Sequence, residues 1–130
     1  MKILICFGTR PEAIKLAPVI FALRSTPCLS ITVCITAQHR KMLDQVLEIF
    51  SIKVDYDLDV MKKSQNLNEL TIEILKGLEK VFKAYKPDWV IVHGDTTTTF
   101  AASLAAFYEK ISIAHVEAGL RTYEIYDHQG

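Results

Sequence analysis

The stretch Ile3-Leu4-Ile5-Cys6-Phe7, followed at once by Gly8-Thr9-Arg10-Pro11, decides the fold class of this chain. A run of consecutive apolar residues is typical of a strand that is covered on both faces of a sheet. Glycine allows a tight turn after the strand, and proline is well tolerated at the start of a helix. The stretch therefore predicts a buried strand that leads through a short turn into a helix.

The same alternation of strand and helix signals recurs along the rest of the chain. Further apolar runs predict strands at 31–35, 90–92 and 111–116, and a run interleaved with carboxylates predicts an edge strand at 54–58. Apolar residues spaced by three and four predict helices at 39–50, 66–85 and 96–108. Such alternation through short connections is typical of an α/β fold with a doubly wound parallel sheet, which we predict as a single domain over residues 1–130.

Local signals add detail to three of the helices. An asparagine followed three residues later by a glutamate, at 66 and 69, predicts a capping box at the start of the third helix. Pro18 is expected to kink or shorten the first helix, because proline lacks the amide that the helix needs. In the fourth helix we expect Phe100, Leu104 and Phe107 to point into the core.

Composition and charge exclude several classes of protein. The 130 residues include 15 Lys and Arg and 15 Asp and Glu, so a net charge of zero gives no electrostatic reason to expect a nucleic acid or an anionic membrane as a partner. A hydrophobic content of 50% excludes a disordered tail. No apolar run approaches the roughly 18 residues of a membrane helix, and the first run ends too early for a secretory signal. Three cysteines without a C-x-x-C pair are typical of reduced thiols, so we expect a cytoplasmic protein.

The end of the first predicted strand carries residues suited to binding an anion. Gly8 permits a tight turn, and the free backbone amides at the start of the following helix face outward with a partial positive charge. Arg10 and Lys15 add two cations, so the segment suits a phosphate or a sugar phosphate. The alternative is a simple helix start, with Thr9 as the cap and Arg10 in solvent.

Two later strands end in carboxylates. Asp95 follows the strand at 90–92, and Glu117 follows the strand at 111–116. Two carboxylates in one partly dry cleft shift each other's pKa, and can then supply an acid and a base near neutral pH. In the alternative interpretation, Asp95 or Thr96 only caps the next helix, and Glu117 forms a structural ion pair with Arg121.

Two histidines also lie at these strand ends. His93 and His115 could be metal ligands, but no third ligand stands at a suitable spacing in the sequence. We therefore expect no metal site, and interpret both as strand-end histidines.

Four segments together resemble the bacterial non-hydrolysing UDP-N-acetylglucosamine 2-epimerases. They are Gly8-Thr9-Arg10-Pro11-Glu12-Ala13-Ile14-Lys15, Thr36-Ala37-Gln38-His39-Arg40, His93-Gly94-Asp95-Thr96-Thr97-Thr98 and His115-Val116-Glu117-Ala118-Gly119-Leu120-Arg121-Thr122. The resemblance implies a GT-B fold, of which this chain covers most of the Rossmann-like N-terminal half. It also implies reversible conversion of UDP-N-acetylglucosamine to UDP-N-acetylmannosamine, for polysaccharide biosynthesis.

The resemblance also implies a chemical mechanism and roles for particular residues. Members of the family are thought to eliminate UDP, giving 2-acetamidoglucal, and then to add UDP back with the opposite configuration at C-2. By motif position, Asp95 and Glu117 are the catalytic carboxylates, and Arg10 and Lys15 are the cations beside the nucleotide sugar. Gln38 and His39 resemble part of a neighbouring regulatory site. The resemblance implies neither NAD nor a metal, and it implies a homodimer for the full-length protein.

The sequence departs from the family after Thr122. The family usually continues with a segment that supplies another functional carboxylate, and Asp127-His128-Gln129-Gly130 does not match that segment. The C-terminal domain, which in the family grips most of the UDP, is also absent, so we expect no turnover by this chain alone.

Two alternatives are a non-catalytic module that binds a nucleotide sugar or serves in assembly, and half of a GT-B glycosyltransferase. The combination of the first and third motifs disfavours the glycosyltransferase.

Overall fold

A five-stranded parallel sheet forms the centre of the computed structural model, which describes residues 1–38 and 40–116. The strands are β1 (Lys2–Phe7), β2 (Ser30–Ile35), β3 (Tyr56–Asp57), β4 (Trp89–His93) and β5 (Ser112–Val116). Their order is β3-β2-β1-β4-β5, and every neighbouring pair is parallel. The predicted doubly wound sheet is therefore confirmed, with β1 at its centre and the two-residue β3 at an edge.

Within residues 1–38 and 40–116, four helices cover the two faces of this sheet. They are α1 (Arg10–Arg24), α2 (Arg40–Ile49), α3 (Leu67–Tyr85) and α4 (Thr97–Tyr108). Alternate residues of β1 face opposite ways: Ile5 and Phe7 pack in one core with α1 and α2, whereas Leu4 and Cys6 pack in a second core with α3 and α4. Because both faces of β1 are buried, its sequence is a continuous run of apolar residues.

The start of α3 confirms the predicted capping box. Asn66 Oδ1 accepts the backbone amide of Glu69 at 2.8 Å, and Glu69 Oε1 accepts the backbone amide of Asn66 at 3.4 Å. Leu70, Ile74 and Leu78 follow on the buried side of the helix. Here the local capping signal and the apolar spacing agree, so the sequence was sufficient to place the helix.

Pro18 was expected to kink or shorten the first helix, and the shortening is wrong, because α1 runs through Pro18 to Arg24. Proline removes one backbone hydrogen bond at that point and is therefore unfavourable inside a helix. The residues on both sides compensate, since Leu16 and Ile20 are each buried in the same core. Packing of these side chains against the sheet keeps the helix continuous.

The predicted inward face of α4 is also wrong. Phe100 and Phe107 are 61% and 71% exposed, and Leu104 is half-buried. The buried residues of this helix are instead small: Thr98, Thr99, Ala101, Ala102, Ala105 and Ala106. Small side chains allow the helix backbone to lie close to the sheet and to α3, where a phenylalanine would not fit.

Two of the three free cysteines lie side by side in the core. Cys6 and Cys34 are directly opposite each other in the register of β1 and β2, and both are fully buried. The hydrogen bond to Cys34, together with burial, raises the pKa of the Cys6 thiol well above its ordinary value. The thiol therefore stays protonated at neutral pH, and its contribution to stability declines only as the pH rises above the ordinary thiol pKa of about 8.5.

The described residues contain no helix that is both long enough and apolar enough to span a membrane.

Candidate functional site at the carboxyl edge of the sheet

The predicted site residues that the structure describes lie at the carboxyl edge of the sheet. Arg10 follows β1, Gln38 follows β2 and Asp95 follows β4, while Lys15 lies further along α1. The strands are parallel, so their carboxyl ends meet at one edge, where doubly wound sheets bind ligands. Glu117 and His39 lie outside the described residues.

Arg10, Lys15 and Asp95 are exposed at this edge, and their side chains have no hydrogen-bond or ion-pair partner within the described ranges 1–38 and 40–116. Two cations and a carboxylate, none with a side-chain partner among residues 1–38 and 40–116, thus form a polar surface after β1 and β4. Such a surface is suited to an anionic ligand that also requires a proton acceptor or donor.

The buried carboxylate of Glu12 joins two of the strand-end loops. Only 2% of Glu12 is exposed. Its Oε1 accepts the backbone amides of Gly8 and Thr9, both at 3.0 Å, and the Thr9 hydroxyl at 2.9 Å. Its Oε2 accepts the hydroxyl of Thr96 at 2.8 Å. Glu12 thus connects the loop after β1 to the start of α4.

These bonds change the expected mode of anion binding. The amides of Gly8 and Thr9 belong to the turn at which the sequence suggested free donors for a phosphate, and the protein's own carboxylate occupies both. An external anion at this turn must therefore rely mainly on Arg10 and Lys15. Sequence reasoning missed Glu12, although its position three residues after Thr9 has the spacing of a capping box.

Gly8 is packed closely between two threonines. A Cβ atom on Gly8 would lie 2.0 Å from Thr36 Oγ1 and 2.7 Å from Thr98 Oγ1. The two threonine hydroxyls are 2.9 Å apart, and the Thr98 hydroxyl donates to Gln38 Oε1 at 3.1 Å. The loops after β1 and β2 and the first turn of α4 therefore meet beneath the surface that carries Arg10 and Asp95.

The threonines at the start of α4 have structural roles that the sequence left open. Thr96 is the N-cap, because its Oγ1 accepts the backbone amide of Thr99 at 3.3 Å. The Thr99 hydroxyl donates to the carbonyl of His93 at 2.6 Å. Since Thr96 provides the cap, the side chain of Asp95 is left free for another use.

The loop that carries Gln38 is held from its far side by Arg40. The Arg40 guanidinium donates to both carboxylate oxygens of Asp57 at 2.8 Å and to Asp59 at 3.1 Å. The hydrogen bonds that Arg40 donates to Asp57 in particular raise the pKa of Arg40 above its ordinary value. The segment after β2 is thereby fixed to the end of β3.

The comparisons with known proteins bear on the whole chain. A family model described as UDP-N-acetylglucosamine 2-epimerase matches residues 21–129. The chain belongs to this family. Its relatives include the UDP-N-acetylglucosamine 2-epimerases of Neisseria meningitidis, 63% identical over 97% of this chain, and of Escherichia coli K12, 60% identical over 97% of it. The chain spans about a third of the length of these relatives, 34% in each case.

Solved structures of such epimerases have the same fold as this chain. The N. meningitidis epimerase bound to UDP-GlcNAc superimposes with a TM-score of 0.86 at 62% identity, covering 98% of this chain and 35% of that one. The Methanocaldococcus jannaschii epimerase in complex with UDP-GlcNAc and UDP gives 0.85 at 41% identity, covering 95% of this chain and 34% of that one. The expected Rossmann-like part of a GT-B fold is thereby confirmed.

The two histidines of the epimerase motifs have different surroundings. One ring nitrogen of His115 contacts the carbonyl of Gly94. Both ring nitrogens of His93 are buried, and neither has a hydrogen-bond partner in the described part of the chain. Within that same part, no three His, Cys, Asp or Glu residues are grouped as a metal site would require.

Proposed function

We propose that this chain contributes the catalytic carboxylates and the phosphate-binding cations of a UDP-N-acetylglucosamine 2-epimerase, which interconverts UDP-N-acetylglucosamine and UDP-N-acetylmannosamine. The observation that carries the proposal is the surface at the carboxyl edge, where Arg10, Lys15 and Asp95 are exposed without partners among the described residues. Family membership supports the same assignment.

The proposed reaction is an elimination followed by an addition. A base removes the proton at C-2 while the bond from C-1 to the diphosphate oxygen breaks, which releases UDP and leaves 2-acetamidoglucal. In the second step a proton returns to C-2 from the opposite face, and the diphosphate oxygen bonds to C-1 again. We assign the movement of protons to Asp95 and Glu117, since carboxylates in a cleft can act as general acid and base.

Arg10 and Lys15 are assigned to the diphosphate. Negative charge grows on the leaving diphosphate as the bond to C-1 breaks, and fixed cations stabilise that charge most in the transition state. Arg10 lies at the first position of α1, and Lys15 lies further along the same helix. A rigid helix start, held by Glu12, fixes the backbone from which these flexible side chains extend.

Ligand binding by the chain itself tests the assignment of the cations. Titration with UDP is expected to shift the amide NMR signals of Arg10, Lys15 and Asp95 with a millimolar dissociation constant, which corresponds to about 4 kcal/mol. Arg10→Ala and Lys15→Ala should each weaken binding. Lys83→Ala, which removes an exposed lysine near the end of α3, is the matched control and should leave binding unchanged.

Two outcomes would contradict the proposed nucleotide site. One is the absence of signal changes near Gly8 to Lys15 at high millimolar UDP. The other is an equal affinity of the Arg10→Ala variant and the parent chain.

We further propose that the complete protein is a cytoplasmic homodimer and that α4 contributes to the dimer contact. Phe100, Phe107 and Tyr108 are 61%, 71% and 65% exposed along this helix. Tyr108 also lines a groove of about 170 Å³ between α3 and α4, together with Leu75, Lys76, Glu79, Ala105 and Glu109. An interface between two copies uses the same patch twice, and a patch that carries both signs of charge can pair with itself.

Sedimentation velocity of a chimera tests the dimer. In this chimera, the present chain replaces the matching third of the N. meningitidis epimerase. Phe107→Glu is expected to convert a dimer to a folded monomer, because a carboxylate would be buried in the contact. Ile49→Glu, on the opposite face of the sheet and 74% exposed, should leave the dimer intact. A Phe107→Glu variant that sediments like the parent would exclude this face as the interface.

A further inference from the structure

Glu12 makes more contacts than the start of a helix requires. A capping carboxylate needs to reach only the amide three residues before it, as Glu69 does for Asn66. Glu12 makes that contact with Thr9 and also accepts from the hydroxyls of Thr96 at 2.8 Å and Thr99 at 3.4 Å, which are 84 and 87 residues away in the sequence. A fully buried carboxylate is costly unless its oxygens are satisfied, and here hydroxyl and amide donors from two loops satisfy both.

The contacts of Glu12 with Thr9 and Thr96 lie next to two charged groups of the site. Thr9 immediately precedes Arg10, and Thr96 immediately follows Asp95. Each anchored residue therefore fixes the backbone from which one free charged side chain extends. We propose that Glu12 is a positioning residue that sets the separation of Arg10 and Asp95, and that it also keeps external anions away from the Gly8 and Thr9 amides by occupying them.

The coupling of the two loops by Glu12 is a property of this chain and can be tested without any assumption about function. Only the expected effect of Glu12 on catalysis rests on the proposed function. Glu12→Ala removes every hydrogen bond of the carboxylate, to the Gly8 and Thr9 side and to the α4 side. Glu12→Asp keeps a carboxylate near Thr9 but is one methylene too short to span both loops. Glu12→Gln keeps the length, since its amide oxygen can accept from Gly8 and Thr9 while its NH₂ group can donate to Thr96 Oγ1.

Hydrogen exchange of the chain tests the coupling without any ligand. Glu12→Ala and Glu12→Asp are expected to accelerate exchange at the first turn of α4, at the amides of Thr99 and Phe100, by about tenfold, the scale of one lost hydrogen bond. Glu12→Ala should also accelerate exchange at Gly8 and Thr9. Glu69→Ala is the matched control, because its carboxylate has the same local geometry at α3, and it should affect only residues near Asn66.

An increase confined to Gly8 and Thr9 would overturn the proposal, since Glu12 would then be a simple cap of α1. If Glu12→Ala does not fold, the exchange rates of the Thr99 and Phe100 amides are compared between Glu12→Asp and the parent chain instead. Unchanged exchange at those two amides in Glu12→Asp would likewise overturn the coupling.

Kinetics of the chimera defined above test the catalytic consequence. Misplacing a catalytic group by about 1 Å can cost 10²-fold in rate, so Glu12→Asp should lower kcat by about 10- to 100-fold with a smaller change in KM. The pH profile should keep its shape, and Glu12→Gln should recover most of the lost kcat. Equal loss in Glu12→Gln and Glu12→Asp, with one limb of the pH profile gone, would make Glu12 a proton-transfer group and overturn the positioning role.

The exchange experiment and the kinetic experiment test different claims, so either can fail without the other. A chimera without epimerase activity would contradict the proposed function, while the exchange result at α4 would still decide whether Glu12 couples the loops. An active chimera whose Glu12→Asp variant retains the parent kcat would leave the epimerase assignment intact and overturn the positioning role.

Discussion

Asp95→Asn is expected to lower kcat by about 10²- to 10⁴-fold in the chimera, the usual contribution of a general acid or base. The asparagine keeps the size of the side chain but can neither accept nor release the proton that moves at C-2. Asp95 makes no hydrogen bond within the described residues, so the substitution should leave stability nearly unchanged. Steady-state rates of UDP-N-acetylmannosamine formation, with the unfolding midpoint measured alongside, separate these two effects.

Four companion measurements make this result decisive. Glu117→Gln should cause a loss of the same order, and solvent deuterium should appear at C-2 of the product of the parent chimera. Asp44→Asn, which removes an exposed carboxylate on α2, should have the parent rate. The 130 residues by themselves, which span about a third of the length of the curated relatives, should show no turnover, because groups that act as a unit lose activity out of proportion when only part of the set is present.

An Asp95→Asn chimera as fast as its parent would show that the chemistry lies elsewhere. Turnover by the isolated chain would contradict the need for a closed, water-poor cleft. UDP binding by the chain together with an inactive chimera would favour the alternative of a non-catalytic module that binds a nucleotide sugar.

Gly8→Ala is expected to lower the free energy of unfolding by about 3 kcal/mol, near the upper end of the cost of overpacking a buried position. The new Cβ would lie 2.0 Å from Thr36 Oγ1, on a short, branched and buried side chain that has little room to move. Relief of this overlap would also break the hydrogen bond between Thr36 and Thr98. Urea unfolding monitored by circular dichroism measures the change.

Gly94→Ala is the matched control for this prediction. A Cβ atom on Gly94 would meet no other atom within 4 Å, but the backbone φ there is +71°, so alanine should cost about 1–2 kcal/mol through backbone strain alone. The double variant Gly8→Ala/Thr36→Ala should lose less than the sum of its single variants, because Thr36→Ala removes the overlapping atom. Additive losses, or a Gly8→Ala variant as stable as Gly94→Ala, would contradict the packing argument.

The helices show where sequence reasoning succeeds and where it fails. In α3 the capping residues and the apolar spacing are both local, and the predicted helix start was correct. In α4 the phenylalanines and the alanines each have helical spacing, so periodicity alone could not identify the buried face. The buried face was decided by the short distance to the sheet and α3, which favours Ala101 and Ala105 over Phe100 and Phe107.

The candidate site likewise has some features that the sequence predicts and others that only the tertiary structure explains. The apolar runs and turn residues, read from neighbouring positions alone, determined the parallel sheet and the placement of Arg10 and Asp95 at its carboxyl edge. The contact from Glu12 to Thr96 requires β1 and β4 to be neighbours, and no local pattern specifies the partner of a residue 84 positions away. Interactions within about four residues, such as those of the Gly8 and Thr9 amides with Glu12, are encoded locally, whereas the contact from Glu12 to Thr96 and the packing around Gly8 arise only when the strands assemble.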